Sequence, residues 1–159
     1  MKKLPIKWFA VFSLSLLVVS CAGCSTIRKA YWDHQVDKLC EKDGGVTIFE
    51  KLEIRKSDYP SMKLTSKGKL ILPPKGKESQ GSPFYQESSI DYLRKGSPEV
   101  WRYTQSVVRK SDKKILSTYV SYSRVGGDFE LGFHPSSHSC KDTDLYISTQ
   151  SSAIIVKGE

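Results

Sequence analysis

Three long segments typical of β-strands follow one another in the middle of the chain, and they constrain its fold more than any other feature. They run from Phe84 to Leu93, from Glu99 to Lys110 and from Lys114 to Val125. The connections between them are short, Gly96-Ser97-Pro98 and Ser111-Asp112-Lys113. Because consecutive strands joined by tight turns pair antiparallel, the sequence predicts an antiparallel meander.

A helix is predicted ahead of these strands, from Ser25 to Asp43. Ser25 or Thr26 is suited to cap its start, and Gly44-Gly45 is suited to end it. Apolar side chains recur in this segment at spacings of three and four residues, which predicts one buried helical face. The residues assigned to that face are Ile27, Ala30, Tyr31, His34, Leu39 and Cys40.

Shorter strands and a loop are predicted around this framework. Alternation from Val46 to Ile54 indicates a strand, and Asp144 to Ile155 supplies a last strand or two. Met62 to Leu72 is typical of a short hairpin, and Pro73 to Pro83 of a mobile loop. We therefore predict an α+β fold in two layers, with the N-terminal helix packed on an antiparallel β-meander sheet, as a single domain over residues 26–159.

The N-terminus has the three parts of an export signal. Lys2, Lys3 and Lys7 supply positive charge, an apolar run extends from Trp8 to Val19, and small residues follow. The run is shorter than the roughly 20 residues that a membrane-spanning helix needs. We expect residues 1–20 to be a cleaved signal peptide, which leaves 139 of the 159 residues, the size of one ordinary domain.

The end of this signal resembles a bacterial lipobox. The residues that carry the resemblance are Leu17-Val18-Val19-Ser20-Cys21. The resemblance implies that the thiol of Cys21 receives a diacylglycerol, that the chain is cut just before it, and that residues 21–25 become a lipidated tether. A further acyl chain such as palmitate on the new amino terminus would make the attachment stable, because a single chain anchors weakly.

A second cysteine is an alternative lipid site. Ala22-Gly23-Cys24 also resembles the end of a lipobox, although Cys21 then stands where an aliphatic residue is usual. Lipidation at Cys24 would leave an even thiol count, whereas lipidation at Cys21 leaves Cys24 as an odd thiol. We favour Cys21 and keep Cys24 as the alternative. Since no Asp follows either cysteine, the resemblance implies, for a Gram-negative source, attachment to the outer membrane facing the periplasm.

The charge of the chain indicates a solvated surface rather than a nucleic-acid site. The net charge of +8 falls to +5 when Lys2, Lys3 and Lys7 leave with the signal. The remaining basic residues are scattered and lack the interleaved aromatic residues of a single-strand binding surface. We therefore expect no nucleic-acid partner. The expected partners are the membrane, through the covalent lipid, and an envelope protein, and no cofactor is expected.

Two further cysteines, Cys40 and Cys140, remain in the mature chain. A disulfide is the expected state of two thiols in an exported domain. The alternative is a zinc site in which His134 and His138 complete a tetrahedral set, but the spacing matches no compact zinc motif. A nucleophilic Cys140 beside His138 would lack a third orienting group. We predict the disulfide, with no catalytic or metal site.

Three segments together resemble a family of small uncharacterised proteobacterial lipoproteins. They are residues 37–45, residues 122–129 and residues 134–140, and the resemblance extends over nearly the whole mature chain. The resemblance implies the same localisation in the cell envelope and a pairing of Cys40 with Cys140. It assigns no catalytic residues. Within the second segment, Gly126-Gly127-Asp128 is predicted to be a turn whose glycines accept positive φ.

Two functions from different classes remain open at this point. The first is a non-enzymatic binding or envelope-assembly module, which a lipid anchor and one small domain favour. The alternative is a small envelope hydrolase that uses Ser, His and Asp side chains of the polar segment 134–144. A weaker possibility is a basic surface for anionic envelope polymers, whose binding salt would screen.

Overall fold

The described part of the chain contains one α-helix, a short 3-10 helix at Lys56–Asp58 and nine strands. The structure is a computed structural model, and it describes residues 26–66, 70–77, 81–128, 135–141 and 153–157. Helix α1 spans residues 26–43. The strands are β1 (Gly45–Ile48), β2 (Leu52–Arg55), β3 (Lys63–Leu64), β4 (Leu70–Ile71), β5 (Phe84–Arg94), β6 (Glu99–Arg109), β7 (Ile115–Val125), β8 (Ser137–Ser139) and β9 (Ile154–Lys157).

The three long strands form the predicted antiparallel meander. β5 pairs with β6 and β6 with β7, so that Ile90 lies opposite Tyr103 and Tyr103 lies opposite Ser121. The turn between β6 and β7 is closed by a bond of 2.9 Å from the Arg109 N–H to the Lys114 carbonyl. The prediction of an α+β fold built on a meander is therefore confirmed.

Two short strands share the far edge of β7. β1 pairs with residues 117–120 and β8 pairs with residues 123–125, both antiparallel. The strand order is β1-β7-β6-β5, with β8 also on β7. The sheet therefore has β7 and β6 in its interior and β5 at its other edge.

Each face of the sheet carries its own apolar core, because side chains alternate between the faces along each strand. On one face Val100, Val120 and Tyr122 pack with Val36 of α1, which is the predicted helix layer. The core on the other face of the sheet includes residues of β4 and β9 and residues close to these strands in sequence. Its buried members are Met62, Leu70, Leu72, Phe84, Val107, Leu116, Ala153 and Ile154. The antiparallel pair β3–β4 and the parallel pair β2–β9 thus cover part of that face.

The predicted buried face of α1 is wrong over the first half of the helix. The residues Ile27, Ala30, Tyr31 and His34 are exposed. Leu39 and Cys40 do pack against the core, and fully buried Val36 leads the face that contacts the sheet. That face also carries Asp33 and Asp37, which pair with side chains of the sheet. The spacing of apolar residues predicted the wrong face because two residues of the face that contacts the sheet, Asp33 and Asp37, are carboxylates.

The single strand predicted from Val46 to Ile54 is two strands in different sheets. The N–H groups of Phe49 and Glu50 both donate to the Leu116 carbonyl, at 2.8 and 3.1 Å, where the chain leaves β7. β2 then pairs in parallel with β9. Alternation continues through the break, and so the pattern contained no sign that the pairing partner changes.

The first part of the predicted loop 73–83 lies against β5. The Gln86 N–H donates to the Pro73 carbonyl at 2.9 Å, and the Lys75 N–H donates to the Gln86 carbonyl at 2.8 Å. Lys75 also pairs with Glu87 at 2.8 Å. Residues 78–80 lie outside the described residues. This contact covers the outer edge of β5 only up to Gln86.

Candidate functional site

A disulfide joins the end of α1 to the residue after β8, as predicted. Cys40 and Cys140 are 100 residues apart in sequence and their Cα atoms are 5.6 Å apart. Both sulfurs are therefore unavailable as zinc ligands or as a nucleophile. No group of three metal-binding side chains occurs among the residues that the structure describes. The remaining predicted site residues, Cys21, Cys24 and His134, lie outside the described residues.

His138 contacts a carboxylate of α1. Its Nε2 lies 2.9 Å from Oδ1 of Asp37. A histidine held by a carboxylate is one part of a nucleophile-activating arrangement, which also needs a hydroxyl or thiol within hydrogen-bond reach. Within the described part of the chain, Asp37 is the hydrogen-bonding partner of this side chain and no hydroxyl accompanies it. The pair links β8 to the helix.

Arg124 is fully buried between α1 and the turn that follows β7. Its Nε donates to Oδ1 of Asp33 at 2.6 Å. Its Nη1 donates to the carbonyl of Gly126 and, at 3.1 Å, to that of Ser136. A buried guanidinium persists only when it is paired and hydrogen-bonded in this way. Arg124 therefore fixes the turn and the chain before β8 against the helix.

The Gly126-Gly127 turn has the predicted conformation, with φ of 77° and 91°. A Cβ at Gly127 would lie 3.0 Å from Cβ of Pro98, a tight contact, and the positive φ itself strains any other residue there. The carboxylate of Asp128 accepts a bond of 3.1 Å from the Ser136 N–H. The side-chain hydrogen bond with Ser136 is the main cause that lowers the pKa of Asp128, and this backbone bond adds to it. The contacts of this turn hold segments of the fold together.

Asp43, at the end of α1, accepts hydrogen bonds from two side chains of the sheet. The Tyr122 hydroxyl lies 2.8 Å from its Oδ1 and 3.0 Å from its Oδ2, and Arg102 donates to Oδ2 at 3.2 Å. Burial, and then this bond to a carboxylate, raise the pKa of Tyr122. The contacts of Asp33, Asp37 and Asp43 thus fasten α1 to the sheet at three points along the helix.

A network of charges fastens the β6–β7 turn. Arg109 contacts Glu50 and Asp112, each at 2.7 Å, and Lys114 contacts Glu50 at 2.6 Å. The hydrogen bond from Arg109 lowers the pKa of Asp112 to about 2, and the bond from Lys114 lowers that of Glu50. These charges are mutually satisfied, which indicates a structural role.

The outer edge of β5 differs from these clusters, whose side chains join segments of the fold. The main-chain groups of Gln86 point away from β6, since they bond to Pro73 and Lys75. By alternation along the strand, those of Ser88, Ile90 and Tyr92 point outward as well. Beyond the Pro74–Gln86 bridge, no described strand pairs with β5 on this side. We call residues 87–93 the open edge.

Apolar side chains are exposed along the open edge. Ile90, Tyr92 and Leu93 are 53%, 50% and 51% exposed. The ring of Tyr92 lies 6.4 Å from that of Trp101 on β6, on the face opposite to α1. A β-bulge between Tyr92 and Arg94 ends the regular part of the strand. The open edge thus combines outward hydrogen-bonding groups with apolar side chains.

A groove of about 590 Å³ lies beside the open edge. Most of its lining residues carry polar side chains, and they are Pro74, Lys75, residues 86–89 and residues 103–106. Such groups can pair with the backbone of an added chain. The groove therefore extends the surface that the open edge presents.

Sequence reasoning predicted β5 but missed its role as an exposed edge. The alternation of Ser88, Ile90 and Tyr92 with Ser89 and Asp91 places polar residues on both faces, which was a visible sign of low burial. It did not show which side of the strand stays unpaired, because that depends on where distant strands add. Asp33 and Arg124 were also missed, since no local pattern connects them.

Comparison with models of protein families, with curated proteins and with solved structures gives no match for this chain. The described residues contain no helix that is long and apolar enough to span a membrane. Any function must therefore be argued from the sequence and from the geometry above.

Proposed function

We propose that this chain is an exported, lipid-anchored protein that acts as a non-enzymatic binding or assembly module at the periplasmic face of the outer membrane. The Cys40–Cys140 disulfide is the observation that supports export, because disulfides persist in oxidising compartments and are rare in the cytosol. The charged and apolar N-terminal segment that ends at Cys21 supports the lipid anchor.

The open edge of β5 supports the binding role. Sheet edges attract further strands, and proteins usually cover, charge or shorten them. Here residues 87–93 present outward main-chain groups beside exposed Ile90 and Tyr92. An extended chain that adds to such an edge gains main-chain hydrogen bonds and side-chain contacts together. We therefore place the interaction surface on this edge.

The polar clusters favour binding over catalysis. Arg124, His138 and Asp43 each bond to side chains that join α1 to the sheet. Groups used in this way hold the domain rigid, and a rigid scaffold is what a presented edge requires. The hydrolase alternative depends on the segment 134–144, of which residues 135–141 are described. No contact there favours it.

Membrane fractionation of two cysteine variants tests the anchor. Cys21→Ala is expected to leave the protein unprocessed or to release it from the membrane fraction, because the lipid acceptor is lost. Cys24→Ala is the matched control and is expected to remain membrane-bound. Release by Cys24→Ala alone would move the lipid site to Cys24. If neither variant changes fractionation or processing, the anchoring proposal is wrong.

A further inference from the structure

We propose that the open edge binds the open edge of a second copy of this chain, antiparallel, about a two-fold axis at Ile90. The inference deepens the proposed function by naming the partner of its interaction surface. It rests on the length of the edge, on the direction of its hydrogen-bonding groups and on the positions of its charges.

The open edge is limited at both ends, and Ile90 is its midpoint. At one end the Pro74–Gln86 bridge occupies the edge. At the other end the bulge between Tyr92 and Arg94 interrupts the regular strand. Leu93 lies in the bulge, so residues 87–92 form the regular strand between these limits, and its outward main-chain groups, those of Ser88, Ile90 and Tyr92, are centred on Ile90. An antiparallel pair centred on Ile90 therefore uses the whole free length on both copies.

The outward hydrogen-bonding groups fit the same centre. Ser88, Ile90 and Tyr92 carry the outward main-chain groups, as the bonds of Gln86 show. With the axis at Ile90, Ile90 faces Ile90 of the second copy and Ser88 faces Tyr92. Each facing pair can exchange both of its N–H···O bonds, as antiparallel hydrogen-bonded pairs do.

The positions of the charged side chains favour the register with its axis at Ile90 over the registers with the axis at Ser89 or Asp91. Shifting the axis to Asp91 places two Asp91 carboxylates directly opposite, and shifting it to Ser89 places Glu87 opposite Asp91. Like charges in directly opposed positions destabilise a strand pair. With the axis at Ile90, Asp91 faces Ser89 and Glu87 faces Leu93. This register alone among the three avoids an opposed pair of carboxylates.

The apolar side chains add a further contact. Ile90 and Tyr92 lie on the face of β5 that also carries the contact with Trp101, so pairing extends one apolar strip across two copies. A contact of one short strand buries less than the roughly 1,200 Å² of a stable complex. We therefore expect the pair to form where the lipid tether concentrates the chain on a membrane, since tethering raises the effective concentration.

Cysteine crosslinking of the full lipidated protein in membranes tests the register. The background is Cys24→Ser, which removes the thiol that competes if Cys21 carries the lipid. Facing residues of a hydrogen-bonded pair have Cα atoms about 5.5 Å apart, within disulfide reach. Ile90→Cys is therefore expected to give a disulfide dimer under mild oxidation.

Two single variants are the matched controls. The Cα atoms of the two Ser88 residues would be about 14 Å apart in this register, so Ser88→Cys alone should not crosslink, and neither should Tyr92→Cys alone. Coexpression of Ser88→Cys with Tyr92→Cys should restore the dimer. If Ile90→Cys crosslinks no more than Ser88→Cys, or if the mixed pair stays monomeric, the inference is wrong.

A charge variant tests the contact without added thiols. Ile90→Lys should abolish chemical crosslinking of the membrane-bound protein, because it opposes two ammonium groups at the axis. Ile71→Lys, at a residue of similar exposure on β4, should leave crosslinking unchanged. Crosslinking of Ile90→Cys to a different protein would retain the binding module but overturn the second copy as its partner. Loss of anchoring in Cys21→Ala tests the tether independently of either result.

Discussion

Removing the disulfide by Cys40→Ala together with Cys140→Ala should destabilise the protein strongly. The bridge closes a loop of 100 residues. Restricting an unfolded chain by a loop of this length corresponds to about 4.7 kcal/mol, an upper value from which native strain subtracts. We expect a loss of about 3–5 kcal/mol in the free energy of unfolding. For a domain of this size that loss lowers Tm by roughly 10–20 °C.

Urea and thermal unfolding, followed by far-UV circular dichroism, would measure this loss. The control is the wild-type chain in reductant, which removes the crosslink but keeps both sulfur atoms in place. The paired variant and the reduced wild type should then agree within about 1 kcal/mol, since truncating a small side chain adds little. The helix signal should persist at low temperature, because Arg124 and Tyr122 still bind α1.

Equal stability of the oxidised and reduced wild-type protein would refute this reasoning. It would mean that the freedom gained by the unfolded chain when the crosslink opens has no net effect on the free energy of unfolding.

Two further predictions concern charged groups. Arg124→Met should lower the free energy of unfolding in urea by about 3–5 kcal/mol, because it leaves Asp33 without its buried partner. Lys29→Met, which removes the outer partner of the same carboxylate, should lower it by less than about 1 kcal/mol. Equal losses in the two variants would contradict the importance of the buried pair. Asp112 has its pKa lowered from 3.8 to about 2 by Arg109, so its stabilising contribution is present above pH 4 and is lost as the pH falls towards 2. Asp112→Asn should therefore flatten the fall of stability with pH in that range, and an unchanged acid limb would count against the contact.

The meander could be predicted from the sequence because its signals are local. Alternation and short turns between Phe84 and Val125 specify both the strands and their antiparallel pairing. The disulfide followed from the compartment that the N-terminus indicates, without knowledge of the fold. Both predictions depended on short-range patterns or on chemistry that any fold would share.

Long-range pairing could not be predicted in the same way. β1 adds to β7 across about 70 residues, and β2 pairs with β9 across about 100. No local pattern indicates which edge of the meander these strands occupy, and therefore the open edge of β5 could not be predicted from the sequence. The buried face of α1 was misassigned for a related reason. Asp33 and Asp37 are polar in sequence and become acceptable at an interface only through Arg124 and His138.

Intact-mass and N-terminal peptide mass spectrometry of the protein extracted from bacterial membranes tests the central claim most directly. We expect a chain that begins at Cys21, carries acyl and glyceryl groups on that residue, and contains an oxidised Cys40–Cys140 pair. A chain that retains residues 1–20, lacks lipid and carries free thiols at Cys40 and Cys140 would contradict it.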